Sequence, residues 1–397
     1  MELSKRAQAI KPSPTLAVTA RAARLKSEGK DIIGLGAGEP DFDTPQHIKD
    51  AAITAINNGF TKYTPVGGTP GLKKAICEKF KRENSLEYSP RQILVSCGGK
   101  QSFFNLVLSV INPGDEVIIP APYWVSYPDI VLIAEGNPVF IDTDIEQRFK
   151  ITAQQLEQAI TPKTRLFVIN SPGNPSGSAY TKEELLALGE ILRQHPEILI
   201  ATDDMYEHIL LSDGQFSNIL NACPDLYSRT IVLNGVSKSY AMTGWRIGYC
   251  GGPENIITAM ENIQSQSTSN PTSISQMAAE AALTGDQSCI DPMVTAFKAR
   301  NDFVTKKINS TAGIRCLPSD GAFYTFADCR QAIGSLNNKG IINECSDIAF
   351  CEYLLEQAGV AVVPGSAFGS EGYIRLSFAT SMENLKAALD RISRVLT

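Results

Sequence analysis

Thr230-Ile231-Val232-Leu233-Asn234-Gly235-Val236-Ser237-Lys238-Ser239-Tyr240-Ala241-Met242-Thr243-Gly244-Trp245-Arg246-Ile247-Gly248-Tyr249 decides how this chain is read. An apolar run ends in small residues, a lysine follows, and an arginine stands eight residues further on. Residues 230–233 have the composition of a buried strand, so the Lys238 amine is expected at a strand's carboxyl end, where open α/β sheets bind ligands. Gly235 and Ser237 leave space there for a flat ligand, and Arg246 has the character of a phosphate clamp. By itself, a lysine after a strand is an ordinary solvated side chain. Its neighbours along the chain decide otherwise.

Outward from this stretch, short apolar runs at 93–96, 116–120, 165–170, 198–202, 230–233 and 247–250 alternate with helical patterns. Such alternation predicts α/β architecture with a mostly parallel sheet between helices. After about residue 290 the pattern changes. A long amphipathic stretch, 291–308, leads to strand-like 323–327, 360–363 and 373–378 and helical 347–357 and 382–396. The expected organisation is a large domain over 45–290 and a smaller α+β domain built from 1–44 and 291–397.

Composition narrows the function classes. The 397 residues carry 36 basic and 42 acidic side chains, a net charge of −6, with no basic block to track nucleic-acid phosphates. Nine cysteines lie scattered without a C-x-x-C pair, which argues against a disulfide framework or zinc knuckle and for reduced thiols in the cytoplasm. No run approaches the roughly 18 apolar residues of a membrane span. His47, His195 and His208 are too dispersed to suggest a metal site.

The residues that follow the apolar runs form a chemical set. They are Gly98-Gly99-Lys100, Tyr123-Trp124, Asn174, Asp203 with Tyr206, and Lys238 with Arg246, all expected at one edge of one sheet. Together they match the needs of pyridoxal 5'-phosphate: a lysine for the Schiff base, an acid for the ring nitrogen, donors for the ring oxygen and an aromatic cover. Asp203 is the acid, because a carboxylate keeps a facing pyridine nitrogen protonated. Asp204 is the better candidate to cap a following helix. Asn174 and Tyr206 are donors to the ring oxygen, although Asn174 between its prolines also suits an Asx-turn. Gly98, Gly99 and Lys100 open a helix over 103–110 whose amides suit an anion, completed by Arg246 and Ser237. Trp124 is placed to stack on the ring. Arg375, in the strand-like Tyr373-Ile374-Arg375-Leu376-Ser377, needs a partner for its charge, and a substrate carboxylate or an internal salt bridge supplies one. Gly34, Gly36 and Gly38 do not complete G-x-G-x-x-G, because Glu39 stands where the pattern needs glycine.

With these residues in place, nearly the whole chain resembles the class I aminotransferases of pyridoxal-phosphate fold type I, in particular bacterial aspartate/prephenate enzymes. The matching words include Lys11-Pro12-Ser13-Pro14-Thr15, Gly36-Ala37-Gly38-Glu39-Pro40-Asp41-Phe42, Tyr63, Gly98-Gly99-Lys100-Gln101 and Ser171-Pro172-Gly173-Asn174-Pro175. The resemblance implies a seven-stranded-type sheet and a homodimer with shared active sites, in which Tyr63 reaches the partner's phosphate. It implies substrate contacts from Gly38, Trp124, Asn174 and Arg375. The arginine that binds the side-chain carboxylate in better-known aspartate enzymes has no counterpart at 264–271, and Lys100, Lys11 and Thr15 match the positions that replace it in this subgroup. The implied activity is amino-group transfer between aspartate and 2-oxoglutarate, extended to prephenate. An aminotransferase for aromatic or branched substrates, or a C–S lyase on the same fold, stays open. So does a pyridoxal-phosphate-sensing transcription regulator, although the pattern begins within the first fifteen residues and leaves no room for its DNA-binding domain.

Overall fold

The computed structural model describes residues 2–10, 12 and 14–397. The two-residue strand β1 (Ile33–Gly34) precedes a seven-stranded sheet made of β2 (Ile93–Ser96), β3 (Glu116–Pro120), β4 (Asn137–Ile141), β5 (Thr164–Asn170), β6 (Leu199–Asp203), β7 (Thr230–Gly235) and β8 (Gly248–Gly251). The order is β2-β8-β7-β6-β5-β3-β4. Pairings among β3 to β7 are parallel, and β8 is antiparallel to both of its neighbours. Six of these strands lie within two residues of the apolar runs in the sequence. The seventh, β4, was missed: it is an edge strand carrying Pro138, with only Ile141 fully buried.

Strand periodicity explains why both faces of this sheet are covered. In β5, Leu166 and Val168 join one core while Phe167 and Ile169 join the other; β7 divides Ile231 and Leu233 from Val232 in the same way. One face packs under helices Pro70–Asn84, Lys182–Arg193 and Ser273–Thr284, and the opposite face under Gly99–Val110, Ser126–Ile133 and Glu254–Ser265. A parallel sheet with both faces apolar needs this two-sided cover.

A second core surrounds a three-stranded antiparallel sheet of β9 (Tyr324–Asp328), β11 (Val363–Pro364) and β12 (Tyr373–Ser377), in the order β11-β12-β9. Just before β11, β10 (Val360–Ala361) pairs in parallel with β1. The predicted strand over 360–363 is thus shared between two sheets. Helices Asp291–Asn309 and Met382–Leu396 cover this core through Phe297, Val304, Leu385 and Leu389. Residues Tyr206, Ile209 and Leu211, which come after β6, also bury themselves here. No helix among the described residues is long and apolar enough to cross a membrane.

Candidate active site

β5, β6 and β7 run parallel, with Asn170 opposite Asp203 and Asp203 opposite Leu233, so the residues that leave them emerge at one edge. There a cavity of about 380 Å³ opens. Of the residues named from sequence, Lys238, Ser237, Asp203, Tyr206, Asn174 and Arg246 line it. Gly38, Gly99, Lys100, Trp124, Arg375 and Thr15 complete the wall from other segments.

Residues 36–44 form a strap over this edge. The Gly38 carbonyl accepts the Lys238 ammonium at 2.5 Å, and the Gly36 carbonyl accepts Arg375 Nη2 at 2.6 Å. The strap is fastened at both sides. Thr243 donates to Glu39 at 2.9 Å, Thr44 donates to the Ala241 carbonyl at 2.7 Å, and Arg300 grips Asp41 with two bonds of 2.7 and 2.9 Å. Burial and, after it, the Arg375 charge draw the Lys238 pKa down to about 8, so the amine is poised to act as a nucleophile.

Beneath the lysine turn lies a polar network. His208 Nδ1 meets Ser239 Oγ at 2.8 Å while its Nε2 meets Glu83 at 2.9 Å. Glu207 accepts from Asn234 and from the fully buried Lys79. Glu83, Glu207 and His208 therefore converge, but Lys79 already pairs with both carboxylates and Arg82 with Glu83, which leaves that grouping without uncompensated negative charge.

Asp203 accepts the Tyr127 hydroxyl at 2.6 Å and the Met205 amide at 3.2 Å. Burial pushes its pKa up, and these donors, with Lys238, oppose the rise. Asp204 caps no helix, since none begins there. It is buried and accepts from Thr202 and Asn218 instead.

Arg375 is 2% exposed, and no carboxylate pairs with it among the described residues. Its Nη1 donates to Asn174 Oδ1 at 2.9 Å, and its Nε has no partner. The Asn174 side chain thus serves Arg375 rather than an Asx-turn; Asn170 Oδ1, four residues earlier, accepts the Asn174 amide at 2.9 Å. The Arg375 guanidinium lies over the Tyr324 ring, 4.5 Å from its centroid. Tyr324 meets the Tyr206 hydroxyl at 2.9 Å and also lines the cavity.

The expected anion cradle has matching geometry. Gly98 has φ +91, a conformation that suits glycine, and a Cβ there would lie 2.5 Å from Arg246 Nη2. Helix Gly99–Val110 starts at this point, four residues earlier than read from the sequence. Arg246 donates to the carbonyls of Thr243 and Cys97 and forms no ion pair among the described residues. A helix start beside a guanidinium without an ion pair has the geometry that suits a phosphate. Lys100 Nζ sits 5.2 Å from the Trp124 ring centroid, and desolvation, aided by Arg246, lowers its pKa.

Two named residues stand outside the cavity wall. Gly98 backs Arg246, and Tyr63 is 92% exposed. Lys11 lies outside the described residues. In the segment without arginine, Gln264 is buried; its amide bonds to Val66, Val95 and Asn105 and fastens the sheet edge. Sequence reading missed Tyr324, Tyr127 and the strap carbonyls. Tyr324 carries only the signal of a buried strand, and a carbonyl carries none.

A protein of Nitrosomonas europaea named aspartate/prephenate aminotransferase is 75% identical over 397 residues, covering 100% of both chains. The crystal structure of the aspartate aminotransferase from Rhizobium meliloti matches with a TM-score of 0.94 and 49% identity, covering 100% of this chain and 99% of that one. The Thermus thermophilus aspartate aminotransferase with maleate matches at a TM-score of 0.93 and 42% identity, covering 100% of both. With the profile of "Aminotransferase class I and II" matching residues 30–392, the chain belongs to that aminotransferase family.

Proposed function

We propose that this chain binds pyridoxal 5'-phosphate at Lys238 and transfers the amino group between L-aspartate and 2-oxoglutarate, with prephenate as a further substrate. The carrying observation is Arg375, a buried guanidinium without a carboxylate partner among the described residues, facing the cavity that holds the Lys238 amine. An uncompensated buried cation is costly, and a substrate carboxylate is the partner its fork fits. The Nitrosomonas relative is named for aspartate and prephenate, and the Thermus relative was solved with maleate, a dicarboxylate. Both support a dicarboxylic substrate here.

Class I aminotransferases generally depend on pyridoxal phosphate, which supplies an aldehyde to exchange amino groups and a ring that withdraws electrons from the substrate Cα. The residues fit it. Arg246, Ser237 and the amides at Gly99 and Lys100 would hold the phosphate, Asp203 the ring nitrogen, and Trp124 the ring face; the Gly98 amide, expected in this set, donates to the Ser96 carbonyl at 2.8 Å instead. Arg375 fixes the Asn174 oxygen, which leaves the Asn174 amide group to donate alongside Tyr206. Lys238 Nζ anchors the cofactor between turnovers and carries a proton from and to the substrate Cα. Gly38 and Arg375 meet the substrate's α-carboxylate end; Lys100, Lys11 and Thr15 meet its side chain.

The active unit is a homodimer in which Tyr63 reaches the partner's phosphate; its exposure, with that of neighbouring Ile53, Ile56 and Phe60, supports this. Residues 45–290 form the large domain and 1–44 with 291–397 the small one, a division supported by the two separate cores. Nine free thiols support a cytoplasmic setting.

The deciding experiment measures kcat/KM for aspartate, prephenate and alanine in the parent and in Lys100→Ala. Losing one charged hydrogen bond should depress the first two about ten- to a hundredfold more than alanine. Equal losses would show that Lys100 serves only the cofactor or the fold. Release of pyruvate and ammonia from cysteine conjugates, without transfer from aspartate, would favour the C–S lyase reading.

A further inference from the structure

The hydroxyls of Tyr206 and Tyr324 stand 2.9 Å apart, and both residues are buried. A phenol has a single proton to give. One of the pair therefore spends its proton on the other, and only the acceptor can still turn a proton toward the cavity. Neighbours decide which. The Arg375 guanidinium lies over the Tyr324 ring, and a cation there makes that phenol the more acidic donor. Arg375 acts on Tyr206 as well, but there the Asp203 charge opposes it; burial, with the neighbouring Tyr324, holds the Tyr206 pKa further above the usual phenol value than that of Tyr324. The charged groups facing the pair and the lysine beside it are Arg375, Asp203, Lys238, Glu39 and Arg246. A Cβ on Gly38 would stand 3.1 Å from the Tyr324 hydroxyl, so the strap confines it.

We infer that Tyr324 is a positioning residue that donates its hydrogen bond to Tyr206, leaving the Tyr206 proton free for the ring oxygen of bound pyridoxal phosphate. The inference rests on the cofactor reading above. A donor to that oxygen stabilises its negative charge and so lowers the pH at which the Lys238-linked chromophore loses its proton. Support from Tyr324 polarises Tyr206 and strengthens the donation.

The test is a pH titration of visible absorbance in the parent reconstituted with pyridoxal phosphate and in three variants. Tyr324→Phe keeps the ring under Arg375 and should raise the midpoint by about half to one pH unit, the effect of one neutral hydrogen bond. Tyr206→Phe should raise it at least as far. The double variant should match Tyr206→Phe, because Tyr324 acts through Tyr206. A lowered midpoint in Tyr324→Phe would mean that Tyr206 donates instead, and overturns the inference. An unchanged midpoint, or additive shifts in the double variant, does the same. If the parent itself gains no pH-dependent absorbance, the cofactor reading fails and takes this inference with it.

Discussion

Replacing Lys238 by alanine is expected to remove the borohydride-stable adduct with pyridoxal phosphate and to lower turnover by at least about a hundred- to ten-thousandfold, the worth of a positioned proton-transfer group. The larger figure is favoured because the same residue also anchors the cofactor. Peptide mapping of the reduced protein checks the first part. An adduct on another lysine, or near-normal turnover in the variant, would remove Lys238 from the site. The amine's depressed pKa adds a pH signature. Only the neutral amine attacks an aldehyde, so adduct formation in the apo-protein should climb with pH and level off above about 8, whereas an ordinary lysine climbs toward 10.5. The folded state releases this proton before the unfolded state does. Between those two values the unfolded chain binds more protons, and this lysine's contribution to stability rises with pH.

Arg375→Ala should weaken every amino-acid substrate alike, because the α-carboxylate is common to all of them. Truncating one member of a buried charged pair costs roughly 2–5 kcal/mol, equivalent to about thirty- to several-thousandfold in kcat/KM. Arg375→Lys should recover little, since an ammonium cannot reproduce the planar fork that serves Gly36, Asn174 and the carboxylate together. The measurement is kcat/KM for aspartate and alanine in both variants, with cofactor content as control. A loss confined to dicarboxylic substrates would place Arg375 at the side-chain end of the pocket.

Much of the site was legible because a parallel sheet brings the residues at its strand ends to one edge. Asp203, Asn174 and Lys238 each stand at or just after an apolar run, and parallel register turned that linear fact into proximity. Arg375 was legible for a different reason, as a charge inside a strand that demanded a partner. Tyr324 was not, since Phe323-Tyr324-Thr325-Phe326 reads as plain buried strand and only the packing of β9 against the loop after β6 brings its hydroxyl to Tyr206. Tyr127 hides in the same way, one residue before a proline in an apolar helix. Asp204 misled because polar residues after a strand usually open a helix. Here the chain instead enters a turn that buries Tyr206 and Ile209 in the second core.

The strap has a metric consequence. Its two acceptor carbonyls are two residues apart on one chain, so their α-carbons are separated by at most about 7 Å, and the amine and guanidinium bonded to them are kept close together. If the proposed function holds, the strap works as a ruler for the distance between the amino nitrogen and the carboxylate of an incoming molecule. That distance is the same in every α-amino acid and longer in β- and γ-amino acids. On that reading, side-chain preference can drift through Lys100 and Thr15 while the ruler stays fixed. β-Alanine and 4-aminobutyrate should remain poor donors however the rest of the pocket is altered.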